Sequence, residues 1–472
     1  MDIIDLGEKR EFFWDDYLID TEKTTAFPRL MHPEKKETCL WFDKDETKDV
    51  LMFFSIIKDD KGYKLYYINW DENDVSKRYL AVAESKDGIT WIKPDLKIFD
   101  HPELKGHNNV VIDPGESMFV FYDENPDCPK EEKYKVVSPY YNSAHGNALE
   151  LWAYVSGDGY RFRLSHCIET DGHFDSQNTA HYKDGKYACY FRSFHDKNGN
   201  DTKVWSNDNL RDIRVIYSDD FRTWTKQKRL EFSDGKDYPL YTNCIFPYER
   251  APQILIGFPA RYFHRTEWTA NDEQLPSADL KKKLIKEVGK REGLSLTDCV
   301  FMCSRDGVKW NRYNEAFMTS GYENEYNWIY GDNYPAWGLI DSGKETYYMY
   351  AMDKRRSYDE DKPLYRYEIR KDGFACYMAD GDEKTLVTKP LIYEGKVLHL
   401  NFSTSAYGYI YIDVLDENGN ELSGKTSFEI FGDTIDRKIL FSDGSDFSAY
   451  AGKPVRLRFR LRDAKLFSLK FE

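Results

Sequence analysis

Asp49, Glu116, Asp175, Asp237 and Asp332 each stand in a short polar stretch just ahead of an apolar run. A lone aspartate in such a place is ordinarily a turn former. Several carboxylates converging on one pocket have a different use. One carboxylic acid protonates a leaving oxygen while a second carboxylate attacks or activates water, which is the chemistry of glycoside cleavage. Like charges held close also separate their protonation equilibria, and that creates the acid and base roles. Asp175, in Phe174-Asp-Ser-Gln-Asn178, and Asp332, in Gly331-Asp-Asn-Tyr-Pro-Ala-Trp337, lead the catalytic candidates, with Glu116 and Asp49 in support. Asp237 lies in Asp234-Gly-Lys-Asp-Tyr-Pro, where the turn reading is strong. Glu323 and Glu325 precede the last such run.

A second set follows the apolar runs: Asp71, His145, Arg192 with His195, Arg261 with His264 and Glu267, and Arg355. Guanidinium groups at a pocket mouth can grip a carboxylate, sulfate or phosphate in two-pronged fashion. The plainer reading is that they neutralise the acidic cluster or bond sugar hydroxyls. Arg192, Arg261, His264 and Glu267 are the candidates for holding substrate. Tyr241 and Trp328, with Trp268 and Tyr330, offer flat faces for a sugar ring. No phosphate-binding glycine loop, HExxH, GxSxG or dinucleotide fingerprint occurs, so neither a metal nor a cofactor is expected.

These residues are positioned by a repeat. Ser85-Lys-Asp-Gly-Ile-Thr-Trp91 recurs as Ser218-Asp-Asp-Phe-Arg-Thr-Trp224 and Ser304-Arg-Asp-Gly-Val-Lys-Trp310, and more weakly as Ser156-Gly-Asp-Gly-Tyr-Arg-Phe162 and Arg370-Lys-Asp-Gly-Phe-Ala-Cys376. Each copy lies between strand-like runs, and Asp-Gly there signals a hairpin. Four antiparallel strands per repeat and five repeats predict an all-β fold, a five-bladed β-propeller over residues 1–392. The third unit reads as strands Asn178–Lys183, Lys186–Phe194, Ile213–Ser218 and Arg222–Leu230. The hairpins join third and fourth strands, so Asp87, Asp158, Asp220, Asp306 and Asp372 are structural, on the face away from the pocket. One long repeat holds a helical insertion at about 272–292, with Ser277 as its N-cap and its lysines as a solvated face. From 393 to 472 six short strands predict a β-sandwich. Phe12–Ile19 is one further strand, closing a blade or bridging the two units.

The chain has 67 Lys and Arg against 82 Asp and Glu, a net charge of −15, with 36 Tyr, 29 Phe and 11 Trp. That is too aromatic for disorder. The acidic excess argues against nucleic acid or an anionic membrane as partner. No apolar run reaches the roughly 18 residues of a spanning helix. Met1–Phe13 lacks a basic start and an apolar stretch, so no secretory leader is read and a cytoplasmic setting is expected. The eight cysteines form no CxxC pair and read as isolated buried thiols. Cys299 and Cys303 fall on one face of a strand rather than forming a zinc pair.

Five blades followed by a sandwich resemble glycoside hydrolase family 32 and its relatives in families 43, 62 and 68. The segments that carry the resemblance are Trp14-Asp-Asp-Tyr-Leu-Ile19, the Asp-turn hairpins, Gly331-Asp-Asn-Tyr-Pro-Ala-Trp-Gly338 and Pro454-Val-Arg-Leu-Arg-Phe-Arg-Leu461. They are most similar to bacterial proteins described as family 32 N-terminal-domain-like, and the hairpin is similar to the Asp-box of sialidases. Family 32 motifs Trp-Met-Asn-Asp-Pro-Asn-Gly, Arg-Asp-Pro and Glu-Cys do not occur here. The resemblance therefore implies carboxylates only by position, in the regions of Asp49, Glu116 and Asp175. It implies an exo-acting hydrolase of a furanoside, fructosyl or arabinosyl, whose partner is an oligosaccharide or glycoside. The alternatives are an inverting glycoside phosphorylase, a non-catalytic carbohydrate-binding propeller and a hydrolase of acidic sugars.

Overall fold

Four of the five Asp turns close by the same local bonds. The Asp87 carboxylate accepts from the Ile89 and Thr90 amides at 2.8 Å each, and Ser85 Oγ accepts from the Gly88 amide at 2.9 Å. Asp158, Asp220 and Asp306 accept from the equivalent amides. Gly88 takes φ 73°, and a Cβ there would meet Ile340 and the Tyr350 hydroxyl at 2.9 Å. The aromatic that ends the motif then folds back, Trp91 Nε1 and Trp310 Nε1 each donating to the turn carbonyl at 3.2 Å. These bonds depend only on neighbours in sequence, which is why the motif repeats.

The computed structural model describes residues 3–44, 50–70, 78–102, 104, 106–202, 206, 208–352 and 360–472. It shows a five-bladed propeller. Blade one runs from its inner strand Val50–Asp59 through Gly62–Trp70 and Tyr79–Ser85 to Trp91–Ile92. Blade two is Phe119–Tyr122, Tyr134–Asn142, Ala148–Ser156 and Arg163–Glu169. Blade three is Thr179–Lys183, Lys186–His195, Leu210–Ser218 and Lys228–Arg229, the first three close to the strands read from sequence and the fourth much shorter than the Arg222–Leu230 expected. In blade four, Phe246–Tyr248 and Ala251–Gly257 pair inward while Ala260–Phe263 and Leu296–Cys299 extend the hairpin outward. The insertion grows from that extension as the helices Ala278–Glu287 and Lys290–Leu294. Ser277 precedes the first helix, but its side chain makes no capping bond. The lysine face is not wholly solvated either, because Lys281 is buried against Asp272 at 3.1 Å.

Blade five corrects the repeat pattern. Its strands are Ile340–Asp341, Thr346–Met352, Lys362–Arg370 and, outermost, the N-terminal strand Glu34–Phe42. The segment after the fifth Asp turn is thereby released to the second unit, where Ala375–Ala379 pairs with Phe27–Leu30 and with the C-terminal strand. The sheet of that unit also takes in Lys384–Val387 and Leu391–Tyr393, so it begins ahead of the boundary expected at 392/393 and includes N-terminal strands. Four of the six strands expected there are two long bent ones, Leu398–Asp416 and Val455–Phe471. Their halves, 398–404 with 464–471 and 409–416 with 455–462, form two layers joined through the bend. At the bend Gly408 lies against the Asp463 carbonyl, leaving no room for a Cβ. Between the layers lies a core that includes Leu400, Phe402, Ile412, Phe459 and Leu469.

The segment Phe12–Ile19 is not the strand expected, being bends beyond Phe12, and it bridges the units rather than closing a blade. Glu11–Phe12 pairs with the C-terminal strand. Trp14 stacks on Phe12 at 3.8 Å and meets Tyr248, Phe301 and Phe374 edge-on. The fifth-turn Asp372 is fully buried beneath it. Its carboxylate accepts from the Tyr248 and Ser468 hydroxyls at 2.7 Å and Asn401 at 3.1 Å, and pairs with Arg250 at 3.0 Å and Arg10 at 3.5 Å. All eight cysteines are free thiols. Cys299 and Cys303 sit in one apolar core, and no His, Cys, Asp or Glu group suited to a metal occurs among the described residues. No helix among them is long and apolar enough to cross a membrane.

Candidate active site

Antiparallel blades put the starts of inner strands, the ends of second strands and the starts of third strands on one rim of the ring. The Asp turns fall on the other. Trp337 fills the axis between the two. Its indole donates to the Ile245 carbonyl at 2.8 Å and meets Phe119 and Phe246 edge-on at 5.0 and 5.3 Å, while its backbone bonds Phe54 and Ile56. Beyond Trp337, on the far rim, a cavity of about 420 Å³ is lined by strand ends including Lys58, Tyr122, Glu124, Tyr182 and Glu249. It shares none of the expected site residues.

On the near rim, Asp175 opens blade three just ahead of its inner strand. Its side chain is 46% exposed and lies against the Arg192 guanidinium, which is 3% exposed, with His173 Nδ1 at 3.4 Å. Arg192 in turn donates to the His173 carbonyl at 3.2 Å and faces the rings of Phe194 and Tyr241 at 5.3 Å. Burial, together with the charges of Arg192 and Arg211, takes the His173 imidazole down to about 4. It is therefore neutral at ordinary pH.

Glu116 stands ahead of the inner strand of blade two, its side chain 23% exposed. Arg78, at the start of the third strand of blade one, is 3.6 Å away. Burial raises the Glu116 carboxyl above its ordinary value in spite of that arginine. A carboxyl with this surrounding keeps its proton longer than one in water.

Asp332 is nearly inaccessible. It follows Gly331 at φ 101° and precedes Asn333 at φ 61°, and its backbone carbonyl accepts from Thr297 Oγ1 at 2.8 Å. The Ile329 amide reaches its carboxylate at 3.5 Å. It sits beside Tyr330 and Tyr334 in the chain, and their rings pack with Tyr241 and Tyr262 into a four-tyrosine wall.

Of the other candidates, Tyr241 lies at the centre of the cluster. His264 stacks on Tyr262 and meets Ser295 Oγ at 3.1 Å. With Glu267, Glu323 and Trp328 it lines an adjoining cavity of about 670 Å³ under the helical insertion. Arg261 does not reach this cluster. It is held across its hairpin by Asp298 at 2.8 Å and by the Asn314 carbonyl, a structural ion pair within blade four. His195 is bound on both ring nitrogens, by Asp212 at 2.8 Å and Asp237 at 2.7 Å, and those bonds raise its pKa. Asp237 is thus a partner of His195 and not a separate carboxylate. His145 bonds the buried Glu150 at 2.5 Å on blade two. Trp268 bonds Glu273 at the insertion, and Glu325 is exposed. Asp49, Asp71 and Arg355 lie outside the described residues.

Sequence reasoning missed Arg211 and Arg291. Arg211 is buried on the third strand of blade three, over the Tyr262 ring at 4.5 Å. Arg291, on the insertion, lies over Tyr330 at 5.3 Å and pairs with Glu292. Scanning third-strand starts as well as second-strand ends would have found the first. The second needed the fold of the insertion.

No family model matches the chain, and no curated protein matches it. Solved structures do. An N-acetylgalactosamine deacetylase from F. plautii, in complex with blood group B trisaccharide, is 10% identical over 93% of this chain and 96% of that one, at a TM-score of 0.43. A structure from work on the GH130 family of mannoside phosphorylases, which contains glycoside hydrolases that target β-1,2 mannosidic linkages, is 11% identical over 73% and 96%, at 0.40. The Penicillium chrysogenum α-L-arabinanase complexed with arabinobiose is 10% identical over 72% and 99%, at 0.38. Likenesses this distant carry no residue-by-residue correspondence. The five-bladed ring implied by the resemblance to families 32 and 43 is what the structure itself shows.

Proposed function

We propose that the protein cleaves glycosidic bonds at the end of an oligosaccharide or glycoside, using carboxylates on the near rim. The observation that carries this reading is the contrast between Glu116 and Asp175, which open adjacent inner strands. Glu116 is desolvated with its pKa raised, as a proton donor to a leaving oxygen should be. Asp175 lies against a buried guanidinium, which pairs with a carboxylate and not with a neutral acid. These two surroundings favour Glu116 as the acid and Asp175 as the nucleophile or base. Asp332 stays in the proposal as a further carboxylate of the rim, and Asp49, outside the described residues, stays on its sequence position alone. Arg192, Tyr241 and His264 would orient the sugar. Trp337 blocks the axis beneath, which favours a chain end over the middle of a polymer. The furanosyl unit rests on the family resemblance alone.

The test is a screen of chromogenic furanosides and pyranosides, with and without phosphate, followed by Glu116→Gln and Asp175→Asn on whichever substrate turns over. Both variants should lose most activity. Wild-type turnover in both would overturn the assignment. Turnover only with phosphate would make the reaction phosphorolysis, and saturable sugar binding without product would make the propeller a binding module.

A further inference from the structure

The near rim holds a buried guanidinium that no carboxylate among the described residues pairs with. Arg192 is paired with Asp175, and Arg291 with Glu292. Arg211 is 6% exposed, and among the described residues its guanidinium has no carboxylate and no hydrogen-bond acceptor, with Nε buried and unbonded. It meets only rings: Tyr262 at 4.5 Å, Phe194 at 5.6 Å and Tyr241 at 5.8 Å. A buried, unpaired guanidinium is costly, and aromatic faces offset only part of that cost. The neighbours add positive charge. The charges of both Arg211 and Arg291 act on Arg192 and on His264, lowering the pKa of each, with burial the larger cause.

We propose that Arg211, with Arg192, is a subsite for an oxyanion bound beside the reacting sugar. Two guanidinium groups against the same Phe194 and Tyr241 rings suit a planar or tetrahedral group with several acceptor oxygens. Two sources carry that chemistry: the carboxylate of a uronic acid unit in the substrate, or inorganic phosphate entering as a second reactant. The inference rests on the glycoside-cleaving reading for what lies beside it, but the binding can be measured without turnover.

The test is titration of the whole chain with glucuronate, galacturonate and inorganic phosphate, with glucose and galactose as neutral controls, by calorimetry and thermal shift. The companion variants are Arg211→Met, which keeps an unbranched chain against the rings without charge, and Arg211→Lys. An anion should bind and the neutral sugars bind more weakly. Arg211→Met should weaken the anion about 10–100-fold, the size of losing charge-assisted hydrogen bonds, and Arg211→Lys should restore part of it. Arg211→Met should also unfold at a temperature no lower than the wild type, because a charge with no partner has been removed. A residue needed only for structure would do the reverse. Uronate binding identifies the substrate's own carboxylate as the source, and phosphate binding identifies a co-reactant. The proposal falls if no anion binds, or if Arg211→Met binds the anion as the wild type does. Anion binding without any cleaved glycoside would retire the proposed function and leave the subsite standing.

Discussion

Replacing Asp372 tests how the two units are fastened. Its carboxylate has no solvent, accepts three side-chain hydrogen bonds and faces two arginines, Arg250 at 3.0 Å and Arg10 at 3.5 Å. Asp372→Asn keeps the size and tolerates the left-handed backbone, φ 62°, while removing the charge. Arg10 and Arg250 are then left without their shared counter-ion. Breaking a buried pair in this way costs about 3–5 kcal/mol. Asp372→Ala also loses the hydrogen bonds and adds about 1–2 kcal/mol for a Cβ-bearing residue with no compensating side chain at positive φ. Denaturant unfolding read by tryptophan fluorescence suits the site, since Trp14 donates to the Asp372 carbonyl at 2.7 Å. The expected order of stability is wild type, then Asn, then Ala. If Asp372→Asn stayed within about 0.5 kcal/mol of the wild type, the size of an ordinary surface change, the carboxylate would not be fastening anything.

Other outcomes follow from the same geometry. Glu116→Gln and Asp175→Asn should each lower kcat by about 100-fold or more, measured on any substrate found in the screen. With Glu116 as the proposed proton donor and its pKa raised, the wild-type rate should fall as pH rises through that raised value, and Glu116→Gln should lose this alkaline limb. His181, His166 and His173 are lowered by burial to about 3, 4 and 4. The unfolded chain protonates each of them first, near pH 6.5, so stability is full above that value and declines as pH falls toward 4 and 3. Urea midpoints measured against pH should show this, with a shallower slope in His181→Gln. A Cβ on Gly293 would meet Ile285 and the Lys281 carbonyl at 2.5 Å or less. Gly293→Ala should therefore loosen the insertion, seen as faster amide exchange over residues 278–294.

Legibility followed the range of the interactions. The Asp turns were readable because serine, aspartate and two amides within a few residues close them. Asp372 carries the same sequence motif but a different fate, decided by Ser468 and Asn401 far along the chain, and nothing local marks the difference. Glu34–Phe42 reads as polar and half-exposed; only its partner Lys362–Arg370 makes it a blade strand. At the rim, Asp175, Arg192 and Tyr241 lie together because strand order places them. Arg261 sat at an equivalent position but was taken by Asp298, a cross-strand neighbour that periodicity does not weigh. Arg211 escaped because an arginine opening a third strand looks like any solvated end until its burial is seen.

The closure of blade five also sets a timetable for synthesis. Glu37 bonds Arg366, 329 residues later, and Arg10 bonds Ser468, 458 later. A ribosome adding 5–20 residues each second needs roughly 16–66 s to cover the first of those intervals. For that time the strand at 34–42 has left the ribosome and its neighbour has not been made. Blades one to four can assemble in order as they emerge, each from contacts close in sequence. The ring stays an open arc with an unpaired edge until the fifth blade arrives, and the cell must shield that edge from the nascent chains beside it.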